Sequence, residues 1–142
     1  MAESVAPKNT PHVERIGTRV YTARNDRGAE LTIGYGPGQF TPGDLLKIAV
    51  LGCNALSSDA RFARALGDDY HLTGTIDADY SQDEDRFTAF DVELSPDLAL
   101  LDPQQREQLF HRVAGAIRRY CTITHTLSQG APTRLTVDGD PA

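Results

Sequence analysis

The sequence predicts an α+β fold, in which antiparallel strand pairs and helices occupy separate parts of the chain. Three observations lead to this prediction: two alternating runs flank a turn near the start, a long capped helix follows, and a second pair of alternating runs precedes another capped helix. The 142 residues fit one domain of ordinary size. We place that domain at residues 17–138, after a flexible arm over residues 1–16.

The strands are predicted to form two hairpins. Residues 18–24 and 29–34 alternate apolar and polar side chains around an Asn/Asp/Gly turn. Residues 70–80 and 86–94 form a longer alternating pair around a polar turn. The alternation breaks near Ala89, which predicts a β-bulge in the returning strand.

The first helix has a well-marked start and end. Thr41 is the predicted N-cap, Pro42 suits the first helical position, and Asp44 lies three residues after the cap. The helix is predicted to run through Cys53 and to end before Gly67, a residue type that favours the position after a helix.

The middle of this helix, residues 45–56, is apolar on almost every face. Lys47 and Asn54 are its clearly polar side chains. In a soluble protein such a helix is buried on most sides. Because one domain of this size cannot easily surround it, we expect a homodimer with a shared core.

The second helix is predicted from a similar cap. Asp102 precedes Pro103, and Gln105 lies three residues after the cap. Cys121 comes just after the end of this helix, and a last strand is predicted at residues 133–137.

Composition excludes several classes of function. The net charge of −6, with no run of more than two basic residues, argues against nucleic acid or anionic membranes as partners. No stretch approaches the ~20 apolar residues of a membrane helix, and the polar N-terminus lacks the apolar centre of a secretory signal, so the expected compartment is the cytoplasm. The glycines of residues 34–38 lack phosphate-binding spacing and the histidines lack ligand spacing, so no cofactor or metal is predicted.

The chemistry is expected to centre on Cys53 and Cys121, the two cysteines of the chain. In a reducing compartment, paired cysteines are usually redox-active or metal-binding. The alternative is that both are small core hydrophobes, since free cysteine is among the most buried residue types. The residue pattern alone leaves these two interpretations equally open.

A reactive Cys53 requires a cation from elsewhere in the molecule. It lies too far inside its helix for the helix dipole, which acts mainly within the first turn. Arg24 and Arg27 of the first hairpin turn are the candidates, although either is also explained as a solvated turn residue. Asp44 is explained by its capping role, and a catalytic role would require it to orient an arginine, across a dimer interface for example.

Three segments, in order, resemble the OsmC/Ohr family of osmotically inducible and organic hydroperoxide resistance proteins. Residues 40–53 resemble the first cysteine motif of the family, with matching residues at Pro42, Asp44, Leu45 and Cys53. Residues 121–127 resemble the second cysteine motif, and residues 21–28 resemble the hairpin that carries the family's arginine. The resemblance covers the chain from about residue 18 to residue 137.

The resemblance implies an intertwined homodimer, with antiparallel sheets wrapped around two central helices. It also implies a thiol-dependent peroxidase, in which Cys53 attacks the peroxide and becomes a sulfenic acid, and Cys121 resolves it as an intramolecular disulfide. An external dithiol would reduce that disulfide. Aligned without gaps, Arg27 falls on the family's arginine, and Asp44 would hold that arginine in place.

Three positions depart from the family pattern. Gly43 stands where the hydroperoxide resistance branch has its acidic residue, Thr122 stands where many members have proline, and His125 replaces the usual arginine. His125 follows Cys121 by four residues, a spacing that could bring its ring near that sulfur.

Organic hydroperoxides are the expected substrates, with hydrogen peroxide as a poorer one, because the apolar surroundings of Cys53 favour a hydrophobic substituent. Two rival functions stay open at the level of the sequence. One is a non-catalytic dimer that binds a small apolar ligand, and the other is a structural dimer with inert cysteines.

Overall fold

Antiparallel pairing organises the first of two compact units, Met1–Leu46 and Lys47–Ala142. The computed structural model describes residues 10–142. The strands of the first unit form one sheet in the order β1 (His12–Gly17), β2 (Val20–Arg24) and β3 (Glu30–Ile33). The predicted first hairpin is confirmed as the pair formed by β2 and β3.

The connecting turn of this hairpin depends on Asn25 and Gly28. The Asn25 side-chain oxygen accepts hydrogen bonds from the backbone amides of Arg27 at 2.9 Å and Ala29 at 3.0 Å. Gly28 has a φ of +86°, a left-handed conformation that glycine adopts without steric cost. The turn therefore fixes the backbone on which Arg27 is carried.

The predicted N-terminal arm is partly wrong. Residues 1–9 of that arm lie outside the described residues. Residues 12–16 belong to β1, which pairs with β2 from His12 opposite Arg24 onwards. The backbone hydrogen bonds of β2 are satisfied on both edges by this pairing, which explains why the segment is ordered despite its polar composition. The single domain over residues 17–138 stays a prediction.

The first helix, α1 (Pro42–Leu66), has the predicted ends. The Asp44 carboxylate accepts a hydrogen bond from the Thr41 amide, and the Asp44 amide donates to the Thr41 hydroxyl, both at 3.0 Å. This reciprocal pair is a capping box. At the other end Gly67 has a φ of +96° and donates its amide to the Ala63 carbonyl, which closes the helix.

The second unit contains most of α1 and the rest of the secondary structure. The further elements are β4 (Leu72–Ser81), β5 (Arg86–Pro96), α2 (Pro103–Tyr120), α3 (Thr122–Gln129), β6 (Thr136–Val137) and β7 (Asp140–Pro141). Within residues 10–142, β4 pairs only with β5, and β6 pairs only with β7. Separate antiparallel pairs and helices confirm the predicted α+β class.

The long hairpin carries the predicted bulge. Its ladder passes from the pair Asp79 and Ala89 to the pair Tyr80 and Phe87, which leaves Thr88 without an opposite residue. The irregularity confirms the prediction made from the broken alternation near Ala89. It locally increases the twist of β5, the strand that lies along one side of the site described below.

A small core joins the helices of this unit to the hairpin. Phe62 of α1 packs with Leu109 and Val113 of α2, and all three are buried. Partly buried side chains surround them, namely Leu66, Tyr70, Leu72, Leu94, Leu98, Leu101 and Ile117. At Gly74 a Cβ atom would lie 2.9 Å from the Leu51 Cδ1 atom, so this glycine allows α1 to pack closely on β4.

The predicted start of α2 is confirmed. The Asp102 side chain accepts a hydrogen bond from the Gln105 amide, the Gln105 side chain accepts one from the Asp102 amide, and Pro103 occupies the first turn. The end of the chain differs from the prediction. Residues 122–129 form the unpredicted helix α3.

The predicted strand over 133–137 is reduced to β6. The two residues between β6 and β7, Asp138 and Gly139, both have positive φ angles, of 49° and 87°. They form a two-residue turn that folds the chain back at once, and this tight hairpin limits pairing to two residues on each side.

The single chain leaves part of α1 uncovered, in line with the expectation that one domain of this size cannot easily surround it. Its buried residues form one stripe at a spacing of four, namely Val50, Asn54, Ser58 and Phe62. Ile48 is 47% exposed and Leu56 is 80% exposed. These two side chains lie about 80° apart around the helix, on the side away from the buried stripe, and form apolar surface that the single chain leaves uncovered.

Candidate active site

The two cysteines meet where α1 passes the junction between α2 and α3. Cys121 is at once the C-cap of α2 and the N-cap of α3. The Cys53 thiol, from the middle of α1, lies close enough to the Cys121 sulfur to lower the pKa of that thiol. Both are free thiols; Cys121 is fully buried and Cys53 is partly exposed. The structure thus brings together two residues that are remote in sequence.

Polar groups from two helices converge on the Cys121 sulfur. The Thr124 hydroxyl donates to it at 3.0 Å, and the Thr124 backbone amide donates at 3.4 Å. From α1, the Asn54 amide nitrogen lies 3.9 Å from the sulfur, and it also donates to the Val50 carbonyl at 2.7 Å. These groups are donors, so together they favour a negatively charged sulfur.

The net effect is a lowered pKa for the Cys121 thiol. Burial alone raises this pKa, because it disfavours the charged form. Hydrogen bonds from Thr124, Cys53 and the backbone amide of Ile123 act in the opposite direction and outweigh it. The position at the N-terminus of α3 adds to the effect, since the helix dipole there favours negative charge.

Sequence reasoning did not identify Asn54 and Thr124 as site residues. A signal was present for Asn54, which is one of two clearly polar side chains in an otherwise apolar stretch of α1. Thr124 stands three residues after Cys121, the usual position of a residue that pairs with an N-cap. It was missed because the segment after Cys121 was not recognised as a helix.

A cleft of about 450 Å³ lies next to the polar groups that surround the Cys121 sulfur. Asn54 and Thr124, which contact the Cys121 sulfur, also form part of its wall. The other lining residues come from α1, β5 and α3, and the wall they complete is polar and apolar in equal measure: Val50, Arg86, Phe87, Thr88, Phe90, Val92, Leu127 and Ser128. Arg86, the cation in this set, is paired with Glu84 at 3.1 Å. The cleft offers a ligand with both apolar and polar parts a position beside Asn54 and Thr124, the residues that donate to the Cys121 sulfur.

The other predicted site residues belong to the first unit. The Arg24 side chain is paired with two carboxylates, Glu30 at 2.9 Å and Glu14 at 3.6 Å. Among the described residues, the Arg27 guanidinium has no such partner, and its backbone is held by the turn. Asp44 performs the predicted capping role at the start of α1.

His125 has a contact different from the one its spacing suggested. Its ring nitrogen Nε2 lies 2.7 Å from the Arg118 carbonyl oxygen, so the ring joins α3 to the last turn of α2. Within residues 10–142, no three His, Cys, Asp or Glu side chains form a group that could hold a metal ion. None of the helices in this part of the chain is long and apolar enough to span a bilayer.

Sequence comparison identifies relatives without an assigned function, and no protein-family model matches the chain. Uncharacterized proteins of Mycobacterium tuberculosis and Mycobacterium bovis are each 37% identical over 127 residues, which is 88% of this chain and 93% of theirs. These values are high enough to place the chain and the mycobacterial proteins in one family.

Structural comparison identifies the fold. A putative osmotic stress induced and detoxification response protein from Psychrobacter arcticus matches with a TM-score of 0.66 at 16% identity, over 87% of this chain and 91% of that one. An OsmC-like protein from Mycoplasma pneumoniae gives 0.63 at 13% identity, over 87% and 89% of the two chains. The organic hydroperoxide resistance protein OhrB of Bacillus subtilis gives 0.53 at 13% identity, over 84% and 90%. At such identities the likeness concerns the fold.

Proposed function

Because the chain belongs to one family with the mycobacterial proteins and has the OsmC/Ohr fold, we propose that it is a thiol-dependent peroxidase that reduces organic hydroperoxides. The observation that carries this proposal is the contact between the Cys53 and Cys121 thiols inside the second unit. Two inert core cysteines would not need to meet, nor would one of them need three donors on its sulfur.

The proposed reaction uses the two thiols in sequence. The Cys53 thiolate attacks one oxygen of the hydroperoxide, the O–O bond breaks, and the alcohol leaves after taking a proton. Cys53 is then a sulfenic acid. The Cys121 sulfur attacks this sulfenic sulfur, water leaves, and a disulfide forms. An external dithiol reduces the disulfide, in keeping with a protein of the cytoplasm.

The cleft supports an organic substrate over hydrogen peroxide. Its aromatic and aliphatic walls, from Phe87, Phe90 and Val92 on β5, would bury the substituent of a hydroperoxide. Hydrogen peroxide has no such substituent and gains nothing from this burial. Hydrogen peroxide is therefore proposed as the poorer substrate.

The proposal is tested by mass spectrometry of the protein after one equivalent of cumene hydroperoxide. We expect the loss of two hydrogen atoms and a peptide pair that links Cys53 to Cys121. If the protein stays fully reduced while the peroxide persists, the proposal is wrong. The alternative of a non-catalytic dimer that binds an apolar ligand in the cleft would then be favoured.

Arg27 is proposed as the cation that stabilises the Cys53 thiolate, oriented by Asp44. The support is that Arg24 is already bound to two carboxylates, whereas the Arg27 guanidinium has no such partner among the described residues. Arg27→Ala is expected to lower the rate of peroxide reduction by about tenfold or more, because a nearby positive charge favours the thiolate.

The matched control for this prediction is Arg24→Ala, on the same hairpin. The rates of peroxide reduction and of thiol alkylation at pH 7 are measured for both variants. If Arg24→Ala alone produces the loss, the assignment of Arg27 is wrong.

A homodimer is proposed from the uncovered apolar surface of α1. Leu56 and Ile48 are exposed in the single chain, and a second copy would remove them from water. Leu56→Asp is expected to weaken association strongly, because it would place a charge in an apolar interface. Analytical ultracentrifugation measures the effect, with Leu100→Asp as the control at another exposed leucine. A wild-type protein that sediments as a monomer at micromolar concentration would contradict the proposal.

A further inference from the structure

We propose that the two sulfurs have fixed and different roles when the disulfide is reduced: the external dithiol attacks Cys53, and Cys121 is the leaving sulfur, held by Thr124 and Asn54. This inference rests on the proposed function, since it concerns the second half of the same cycle. It specifies which sulfur of the disulfide is attacked and which one leaves, and it gives Thr124 and Asn54 a role in that step.

Access to the two sulfurs is unequal. Thiol–disulfide exchange requires the attacking sulfur to reach one sulfur of the disulfide directly. Cys121 has 0% of its surface exposed, whereas Cys53 is partly exposed. An external thiol can therefore approach Cys53 and is excluded from Cys121.

The buried Cys121 sulfur has more and closer hydrogen-bond donors than the Cys53 sulfur. The Cys121 sulfur lies 3.0 Å from the Thr124 hydroxyl, 3.4 Å from the Thr124 amide and 3.9 Å from the Asn54 amide nitrogen. The hydroxyl nearest to the Cys53 sulfur is that of Ser57, at 4.0 Å. Negative charge that develops on a sulfur during exchange is therefore better stabilised at Cys121.

The pKa of Cys121 supports its assignment as the leaving sulfur. Burial raises it, but the hydrogen bonds from Thr124, Cys53 and the backbone lower it below the ordinary thiol value. In the disulfide the contact with Cys53 becomes the bond itself, and the donors from Thr124 and Asn54 remain in place. A sulfur with a lower pKa leaves faster in exchange.

Reduction of the disulfide takes two successive thiol–disulfide exchanges. A thiolate of the dithiol forms a bond to the Cys53 sulfur, the bond between Cys53 and Cys121 breaks, and its electron pair goes to Cys121. The second thiol of the dithiol then attacks the dithiol sulfur that is bonded to Cys53. The bond between that sulfur and Cys53 breaks, and Cys53 leaves and takes a proton. The dithiol becomes a disulfide and the protein regains both thiols.

The first test finds which cysteine carries the adduct. The full chain is oxidised with diamide, so that the disulfide does not depend on peroxidase activity. It is then mixed briefly with the monothiol 2-mercaptoethanol, quenched with acid and digested. Peptide mass spectrometry is expected to find the mercaptoethanol adduct on Cys53 and a free thiol on Cys121. An adduct mainly on Cys121, equal adducts on both, or no disulfide after diamide would overturn the inference.

The second test removes the closest donor. Thr124→Val keeps the shape of the side chain but loses the hydroxyl, and the diamide-made disulfide is expected to react with dithiothreitol roughly three- to tenfold more slowly. The thiolate absorbance of Cys121, followed in the Cys53→Ser background, should shift to higher pH. Thr124→Ser, which restores a hydroxyl, should recover both properties.

The matched control is Thr126→Val on the same helix. Its hydroxyl donates to the Thr122 carbonyl at 2.8 Å and contacts neither cysteine. The diamide-made disulfide of Thr126→Val should react with dithiothreitol at the wild-type rate. Equal slowing by the two valine variants, or no change in Thr124→Val, would overturn the role of Thr124. A protein that forms the disulfide with diamide but consumes no peroxide would contradict the proposed function and leave this inference standing.

Discussion

Cys53→Ser is expected to reduce the consumption of cumene hydroperoxide to the uncatalysed rate. The thiolate is the nucleophile in peroxide reduction, and a serine hydroxyl at neutral pH is far less nucleophilic. No second thiol can replace Cys53, because Cys121 is fully buried and has no surface open to a substrate. The measurement is peroxide consumption in the presence of excess dithiothreitol.

Cys121→Ser is the matched control for this prediction. It should retain one rapid turnover per chain, because the attacking thiol remains, and Cys53 should then accumulate as a sulfenic acid that a dimedone probe can trap. Equal peroxide consumption by the wild type and Cys53→Ser would remove the chemical basis of the proposed function.

Leu109→Ala is expected to lower the free energy of unfolding by about 3 kcal/mol. Leu109 is 1% exposed and lies between Phe62 and Val113 in the core of the second unit. This decrease in the free energy of unfolding has two parts, the lost burial of the leucine side chain and the cavity that remains. The core is small, so few buried side chains can move to fill that cavity. Urea unfolding followed by circular dichroism measures the effect.

Leu100→Ala makes the same chemical change at a residue that is 92% exposed. Its effect should stay within about 0.5 kcal/mol of the wild type. A similar midpoint for the two variants would show that the core does not depend on Leu109. The m-values should agree as well, because neither change alters the surface that unfolding exposes by more than one side chain.

The elements that the sequence predicted correctly are those with local causes. The caps of α1 and α2 depend on side chains and amides three residues apart, as in the pairs of Thr41 with Asp44 and Asp102 with Gln105. The bulge follows from a break in alternation within one strand. Such features are visible in a short window of sequence because the interacting groups lie within it.

The elements that were missed have distant causes or weak local signals. α3 has eight residues, several of them β-branched threonine or isoleucine with low helix propensity, so its pattern was too short to be recognised. β1 is polar and exposed along most of its length, and its order comes from pairing with β2.

The sequence by itself determined the α+β class, the capped helices, the first hairpin and the identity of the two cysteines. Only the tertiary structure decided that Cys53 reaches Cys121, and that Thr124 and Asn54 donate to the buried sulfur and not to the exposed one. The physical reason is the range of the interactions. Caps and turns form between near neighbours in the chain, whereas the environment of a thiol depends on how α1 packs against the junction of α2 and α3.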